Sequence, residues 1–443
     1  MSENSATPLH IKLPNSHNQR HLLNDELHQH PYESLRPPER VICIGMRVNP
    51  EQRPLEVLHL QCLLEHFGHS LEMDSNRIRC NLGSFRFKME MHHEITRYKF
   101  IFTIDSSNIE NPFAGNPLDQ LPKGWLSSLP GETLTAMDLA ILPCPGNSSP
   151  PQIIEQYSKH FTRQPLIASL IGRSGGMVIT DFAIRNDSML RMLVFSKATL
   201  PSQNGRLILR LIEIETYRMQ AMLVVPDARI MLRKLPQFDA RLTELTDAIS
   251  RESGRNDEQL LDELSSLAAH IESLVASSYR RLSASRAYFN LVSQRLNDLH
   301  EQPIERLPSL GGILNRRLEP ARMTCDSVSH WLEQLSQRVA QTSQLLRTRV
   351  DVGHEKQSQK LLKAMNDRFY LQLRLQSAAE MLSVAIFSFY TVGLLSYIGE
   401  EAALLLSMTY NPILFKAVAV PLVAGSAILF VLRLRKKRTI EST

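Results

Sequence analysis

Two apolar runs near the end of the chain constrain it more than anything else in the sequence. Residues 382–398 read LSVAIFSFYTVGLLSYI without a charge, and residues 413–432 read ILFKAVAVPLVAGSAILFVL with one lysine, Lys416, near the start. As helices rising 1.5 Å per residue, such runs cover roughly 25–30 Å, the thickness of a hydrocarbon core. Lys416 lies in the first turn, where its stem can reach the interface, and Pro421 at mid-span is tolerated in a bilayer helix. Length and flanking charge argue against two soluble core helices. The expectation is a C-terminal transmembrane hairpin over residues 378–435.

Flanking charge sets the expected orientation. The connecting segment 399–411 carries Glu400 and Glu401 and no Lys or Arg. Arg368 and Arg374 precede the first span, and Arg433, Arg435, Lys436, Lys437 and Arg438 follow the second. The positive-inside rule then puts both termini and the bulk of the chain in the cytoplasm, at a bacterial inner membrane, with residues 436–443 as a basic tail. That basic run also suits anionic lipid headgroups. Ser377, Glu380, Ser388 and Thr391 fall within one arc of the first helix at 100° per residue. Helix packing through small hydroxyls is the first reading of the arc; a pore face built on Ser388 and Thr391, with Glu400 and Glu401 as an outer ring, is the second. Ala417, Pro421 and Gly425 give the second helix a slim face.

The rest of the chain has ordinary globular usage, with 21% charged and 43% apolar residues, which excludes wholesale disorder. A net charge of +5 over 443 residues does not call for a nucleic-acid partner. Five scattered cysteines without a Cys-x-x-Cys pair suit a reducing cytoplasm. Residues 1–19 are polar, without the apolar core of a signal peptide, and are expected to be a disordered tail.

Residues 20–200 alternate strand-like and helix-like segments, the pattern of an α+β domain with a partly antiparallel sheet. Strands are expected at 40–46, 77–82, 85–92, 98–104, 134–142, 177–184 and 189–195, and a helix at 55–67. Phe85, Phe87, Met89 and Met91 alternate with charged residues, the mark of a half-buried strand. Residues 121–131 and 143–151 read as loops. Residues 201–377 read as a helical stalk. Asn256 with Gln259 resembles a capping box. Leu260, Leu264, Leu267, Ile271 and Leu274 keep 4-3 spacing, as do Val328, Leu332, Leu335, Val339, Thr342 and Leu346. That spacing implies a coiled-coil seam within or between chains. Gly353 is the expected break in a helix that otherwise runs to the membrane.

Candidate chemistry is sparse. Gly172-Arg173-Ser174-Gly175-Gly176 matches Gly-x-Ser-x-Gly, but a strand-like segment follows where a nucleophile elbow needs a helix, so a hairpin turn is expected. Glu26 with His28, and His92 with Glu94, are the metal-ligand candidates; neither has the spacing of a closed site, and hydrogen bonding is the plainer role. Arg210–Glu213 and Glu215–Arg218 are expected as ion pairs along an apolar helix. Phosphate, dinucleotide, zinc-protease and calcium motifs do not occur. The reading is of a protein that is not an enzyme and needs no cofactor.

The segments HLLNDELHQHPYESLRPPERV, TDF at 180–182, GRLILRLIEIETYRMQAML, SQLLRTRVDV and LQLRLQSAAEMLSVAIFSFYTVGLLSYI together resemble a bacterial family catalogued as domain of unknown function three-four-two-two, described as membrane-anchored. The family usually continues Ala-Arg-Pro after its first histidine, where this chain reads Gln29-His30-Pro31. The resemblance implies placement at a membrane and no activity. The order of domains is similar in outline to the CorA-type metal-ion transporters, whose first span is followed by Gly-Met-Asn. This chain has Gly399-Glu400-Glu401 there and Ser407-Met408-Thr409-Tyr410-Asn411 nearby, so magnesium selectivity is not implied. The expectation is a self-associating membrane-anchored interaction module, with an oligomeric divalent-cation transporter or channel as the alternative; bilayer and further copies of the chain are the expected partners.

Overall fold

A computed structural model describes residues 15, 17–20, 24, 32–71, 76–92, 94–146, 148–173, 175–251, 257–406 and 411–441. The chain divides into two units, Met1–Asp247 with Glu263–Gln341, and Ala248–Asp262 with Thr342–Thr443.

The first unit is built on a mixed sheet. Its strands are β1 (Glu39–Arg47), β2 (Arg77–Asn81), β3 (Arg86–Met91), β4 (Thr96–Thr103), β5 (Glu132–Pro143), β6 (Ile167–Ile171), β7 (Gly176–Ile184), β8 (Leu190–Ser196) and the short β9 (Gln302–Pro303). They lie in the order β2-β3-β4-β1-β5-β8-β7-β6-β9. The β5–β8 pair is parallel and the others are antiparallel. Each strand expected from apolar alternation is present, and the α+β reading of this region holds.

Helix α1 (Arg53–His66) covers one face at the β1–β4 end: Leu60, Leu63 and Leu64 pack with Ile42, Phe87, Met89, Tyr98 and Phe100. Helix α2 (Pro150–Tyr157) closes a second core with Leu142, Ile179 and Phe195. It begins inside the segment 143–151 that reads as a loop. Ser149 and Gln152 cap it reciprocally and Pro150 occupies its first position, where its missing N–H loses nothing.

The opposite face of β3 and β4 departs from expectation. Alternation with charge reads as one face in water, yet Lys88, Glu90, Arg97 and Lys99 are all 8% exposed or less. Both faces of these strands are covered. Helix α3 (Pro201–Met222) packs on β5, and a close approach at Gly205 seats it: a Cβ there would lie 1.6 Å from the Glu33 carbonyl oxygen.

After α3 come α4 (Val225–Arg251), α5 (Asp257–Asp298), α6 (Leu310–Leu406) and α7 (Pro412–Glu441). In the first unit α4, α5 and α6 pack side by side. Leu264, Ile271, Val328 and Leu335 are fully buried and Leu332 and Val339 nearly so, so the 4-3 positions face one another within one chain. Arg241–Glu263 at 2.5 Å, Arg286–Asp326 at 2.8 Å, Ser336–Glu272 at 2.5 Å and the Arg338–Asp239 pair link the helix surfaces. The expected capping residue Asn256 lies outside the described residues. The start of α6 is capped from a distance, since Glu301 accepts from the Gly311 N–H at 2.8 Å and the Ser169 hydroxyl accepts from Leu310, an anion at the positive end of the helix.

In the second unit Arg349 reaches Asp257 at 2.9 Å. Helix α6 runs on through Gly353 without a break; a glycine costs a helix interior only about 1 kcal/mol. From residue 351 to 376 every side chain on α6 is exposed. Among the described residues two helices are long and apolar enough to cross a membrane, Leu310–Ala403 and Pro412–Val431.

Candidate functional site

The second unit carries the hairpin residues. Ser377, Glu380, Val384, Ser388 and Thr391 are all half-buried, and Val392 and Ser396 are buried, so the polar arc of α6 lies towards α7. Thr391 donates to the Phe387 carbonyl at 2.8 Å and Ser383 to Ala379 at 2.8 Å. These hydroxyls are satisfied by the helix that bears them. The Ser388 hydroxyl is buried without a partner among the described residues. On α7 the half-covered positions are Phe415, Ala419, Val423, Ala424, Gly425, Ala427 and Val431, while Ala417 and Pro421 are exposed. The slim face expected at Ala417, Pro421 and Gly425 is therefore displaced: Phe415, Ala419, Val423, Ala427 and Val431, spaced four apart, turn inwards, and of the expected three only Gly425 is half-covered.

A groove of about 890 Å³ runs between α6 and α7, with Gln376, Glu380, Ser383, Thr391 and Ser426 among its lining. Glu400 and Glu401 are exposed on the last turns of α6, and Arg433 is exposed on α7. Arg435, Lys436, Lys437 and Arg438 lie within α7, which runs to Glu441. Residues 407–410 of the connection lie outside the described residues.

In the first unit, Glu26 and His28 lie outside the described residues, while His92 and Glu94 sit in the β3–β4 turn. The His92 Nε2 accepts from Arg97 at 2.7 Å. Burial and the adjacent guanidinium push the imidazole down to about 4, so it is neutral and its lone pair is occupied. Glu94 accepts from the Tyr288 hydroxyl of α5 at 2.8 Å. Each is held by a hydrogen bond to a different element. Among the described residues no group of three His, Cys, Asp or Glu side chains could hold a metal ion.

His92 is the rim of a buried ionic cluster. Glu90 lies 2.8 Å from Lys99, 3.1 Å from Arg97 and 3.0 Å from Lys88. Burial alone would raise its carboxyl, but the three cations hold it far below the usual carboxylate range. Two nitrogens of Arg97, Nε and Nη1, are buried without partners among the described residues. The EIETYR block of α3 closes over this region. Tyr217 stacks on Tyr288 with centroids 6.0 Å apart, and burial raises both hydroxyls. Glu215 pairs with Arg218 at 2.7 Å as its spacing implies. Glu213 reaches Arg295 of α5 at 2.6 Å, where the expected partner was Arg210. The nearer charge loses because Glu213 faces the neighbouring helix.

The Gly-x-Ser-x-Gly segment joins β6 to β7 as an antiparallel hairpin, with Ile171 opposite Gly176. Gly172 and Gly175 take φ of +74° and +75°, the left-handed backbone such a turn requires. Ser174 lies outside the described residues. Sequence reasoning missed Arg47, Gln220, Arg280 and Arg281, which with Glu94 and Tyr288 line one cavity. These residues come from three distant stretches, and the Arg280-Arg281 doublet was their only local signal.

Against known proteins, the profile of the family described as "Protein of unknown function (DUF3422)" matches residues 15–438. The chain belongs to that family. No curated protein matches it. The DUF3422 description names no activity, and neither comparison connects the chain with the CorA-type transporters.

Proposed function

We propose that this DUF3422 protein is a membrane-tethered module whose bulk faces the cytoplasm of a bacterial cell, and that it self-associates through the exposed part of α6. The observation that carries the proposal is the state of residues 361–373. Leu361, Leu362, Met365 and Phe369 are 58–65% exposed and Leu373 is 43% exposed, and at 100° per residue all five fall within an arc of about 120°. An amphipathic helix with an apolar stripe needs something to cover it. Helices inserted in one orientation in one bilayer run parallel and at the same depth. A second copy therefore presents the same stripe in register, which is what a symmetric contact requires. Heptad-like pairing between copies belongs here, beyond the 4-3 positions already buried within the chain.

Orientation rests on charge: Arg368 and Arg374 on one side of the first span, Arg433, Arg435, Lys436, Lys437 and Arg438 after the second, and Glu400 and Glu401 between. The bilayer and further copies of the chain are its partners in this proposal; it assigns no catalytic centre, cofactor or nucleic acid. Two measurements test it. A reporter fused after Thr443 is expected to be active in the cytoplasm, and the protein in mild detergent is expected to have the mass of a dimer or larger. A periplasmic reporter overturns the orientation, and a monomer at micromolar concentration overturns the self-association.

A further inference from the structure

We propose that a cavity of the first unit, between the end of β1 and helices α3 and α5, binds the phosphate group of a small anionic ligand. The cavity has a volume of about 400 Å³ and is lined by Arg47, Glu94, Gln220, Arg280, Arg281 and Tyr288, among others. That volume is at the small end of the range for ligand sites.

The charge balance points to an anion. Arg281 is shared with Asp227 at 3.1 Å, and Glu94 is held by the Tyr288 hydroxyl at 2.8 Å. Arg47 and Arg280 have no ion-pair partner among the described residues. Two uncommitted guanidiniums on one cavity match the charge of a phosphate monoester and the forked geometry of its oxygens.

A second observation is independent of charge. Gln220 is 6% exposed, and its Nε2 is buried with no partner among the described residues. A buried amide donor left unsatisfied is unfavourable, and native interiors rarely keep one. The nitrogen is closed to solvent, so an acceptor oxygen in the cavity satisfies it once the amide turns about its terminal bond. The hydroxyls nearby do not offer themselves: Ser277 donates to Leu274 at 3.0 Å and Ser285 to Ala221 at 2.8 Å. The free donors are thus the guanidiniums and one amide, a set that fits an acceptor-only ligand. Leu223 and Val224 add an apolar wall against which the ligand's body can rest.

The test uses the full chain in neutral detergent and inorganic phosphate as the probe, followed by titration calorimetry and thermal shift. Saturable binding in the millimolar range is expected. Arg47→Gln with Arg280→Gln should weaken it at least tenfold, and Gln220→Met should weaken it without touching a charge. Arg306→Gln, outside the cavity, should leave it unchanged. The paired variants must keep the wild-type unfolding midpoint without phosphate; if they do not, Gln220→Met carries the decision. A short-chain phosphatidate that binds at least tenfold better than phosphate marks the source as a lipid headgroup, and one that binds no better marks it as a soluble metabolite. Absence of saturable binding, or equal binding by wild type and all cavity variants, overturns the proposal.

Discussion

Replacing Leu361, Met365 and Phe369 together by serine should dissociate the assembly, and the size of the effect follows from exposure. These side chains are 60%, 65% and 58% exposed. Complete burial of residues of this size is worth about 1.5–3 kcal/mol each, so covering what remains exposed gives roughly 1–2 kcal/mol per residue. Three residues on each of two copies contribute roughly 6–12 kcal/mol to the contact, and at 1.4 kcal/mol per tenfold the loss weakens it by a factor of about 10⁴ or more. Even half of that would convert a micromolar dimer into a monomer at working concentration. The assay is light scattering coupled to size exclusion in detergent, repeated by energy transfer between labelled copies diluted in vesicles. Leu371→Ser is the control, because Leu371 is equally exposed at 60% but lies on the opposite side of the same helix. Loss of mass in the triple variant and not in the control is the expected result. Equal masses for all three proteins would refute the reasoning, since the stripe would then be covered by nothing.

Three further outcomes test the first unit. Asp138 is 1% exposed and holds Arg40 through two contacts of 2.8 Å, with Arg191 3.6 Å away; Asp138→Asn leaves buried cations unneutralised and should cost about 3–5 kcal/mol, roughly 10 °C in the melting midpoint. The fluorescence of the buried Trp125 would report it, and a change under 1 kcal/mol would contradict it. The His92 imidazole, ordinarily at 6.5, is held at about 4 by burial and Arg97; the unfolded chain therefore takes up a proton that the folded chain refuses, and stability present above pH 6.5 is lost as pH falls towards 4. Discounted for solvent screening at its partly exposed ring, the contribution is roughly 1–2 kcal/mol, and His92→Gln should flatten the stability curve across that window; an unaltered slope would exclude His92 as its source. Gly205→Ala places a methyl against the Glu33 carbonyl and should lower stability by about 3 kcal/mol in chemical denaturation, although alanine is the better helix former; a gain in stability would mean that α3 is not seated by that contact.

The parts of this molecule that were legible in its sequence are those written in short periods. Apolar alternation gave β3 and β4, 4-3 spacing marked the buried positions Ile271 and Leu335, and unbroken apolar length marked two helices long enough to cross a membrane. Long-range partners were not legible. Alternation cannot distinguish water from a buried cluster of opposite charges, so Lys88 and Glu90 read as a wet face. The i, i+3 rule offered Arg210 to Glu213, while the fold supplied Arg295, 82 residues away in sequence. Gly353 reads as a break because its local penalty is visible and the continuity of the helix around it is not. At the cavity, Glu94 attracted notice beside His92 as a metal ligand, but the residues that give the site its charge arrive from β1 and α5. No window of the sequence contains them together.

The buried charges beneath α3 bear on what the first unit is for. Apolar residues of similar volume at Lys88, Glu90, Arg97 and Lys99 would hold the helix to the sheet at least as well, because desolvating ions offsets much of their attraction. A unit that served only as ballast for a membrane anchor would have no use for two buried nitrogens of Arg97, or a buried amide of Gln220, that lack partners among the described residues. Both belong to the layer between sheet and helices that also contains Tyr217 and Tyr288, and Tyr288 lines the cavity. Stability forgone in a polar interior is the ordinary signature of a binding site. On the proposed reading the tether and the site have separate jobs: the hairpin would fix where the protein works, and the donor-rich cavity would determine which small anion it answers to there.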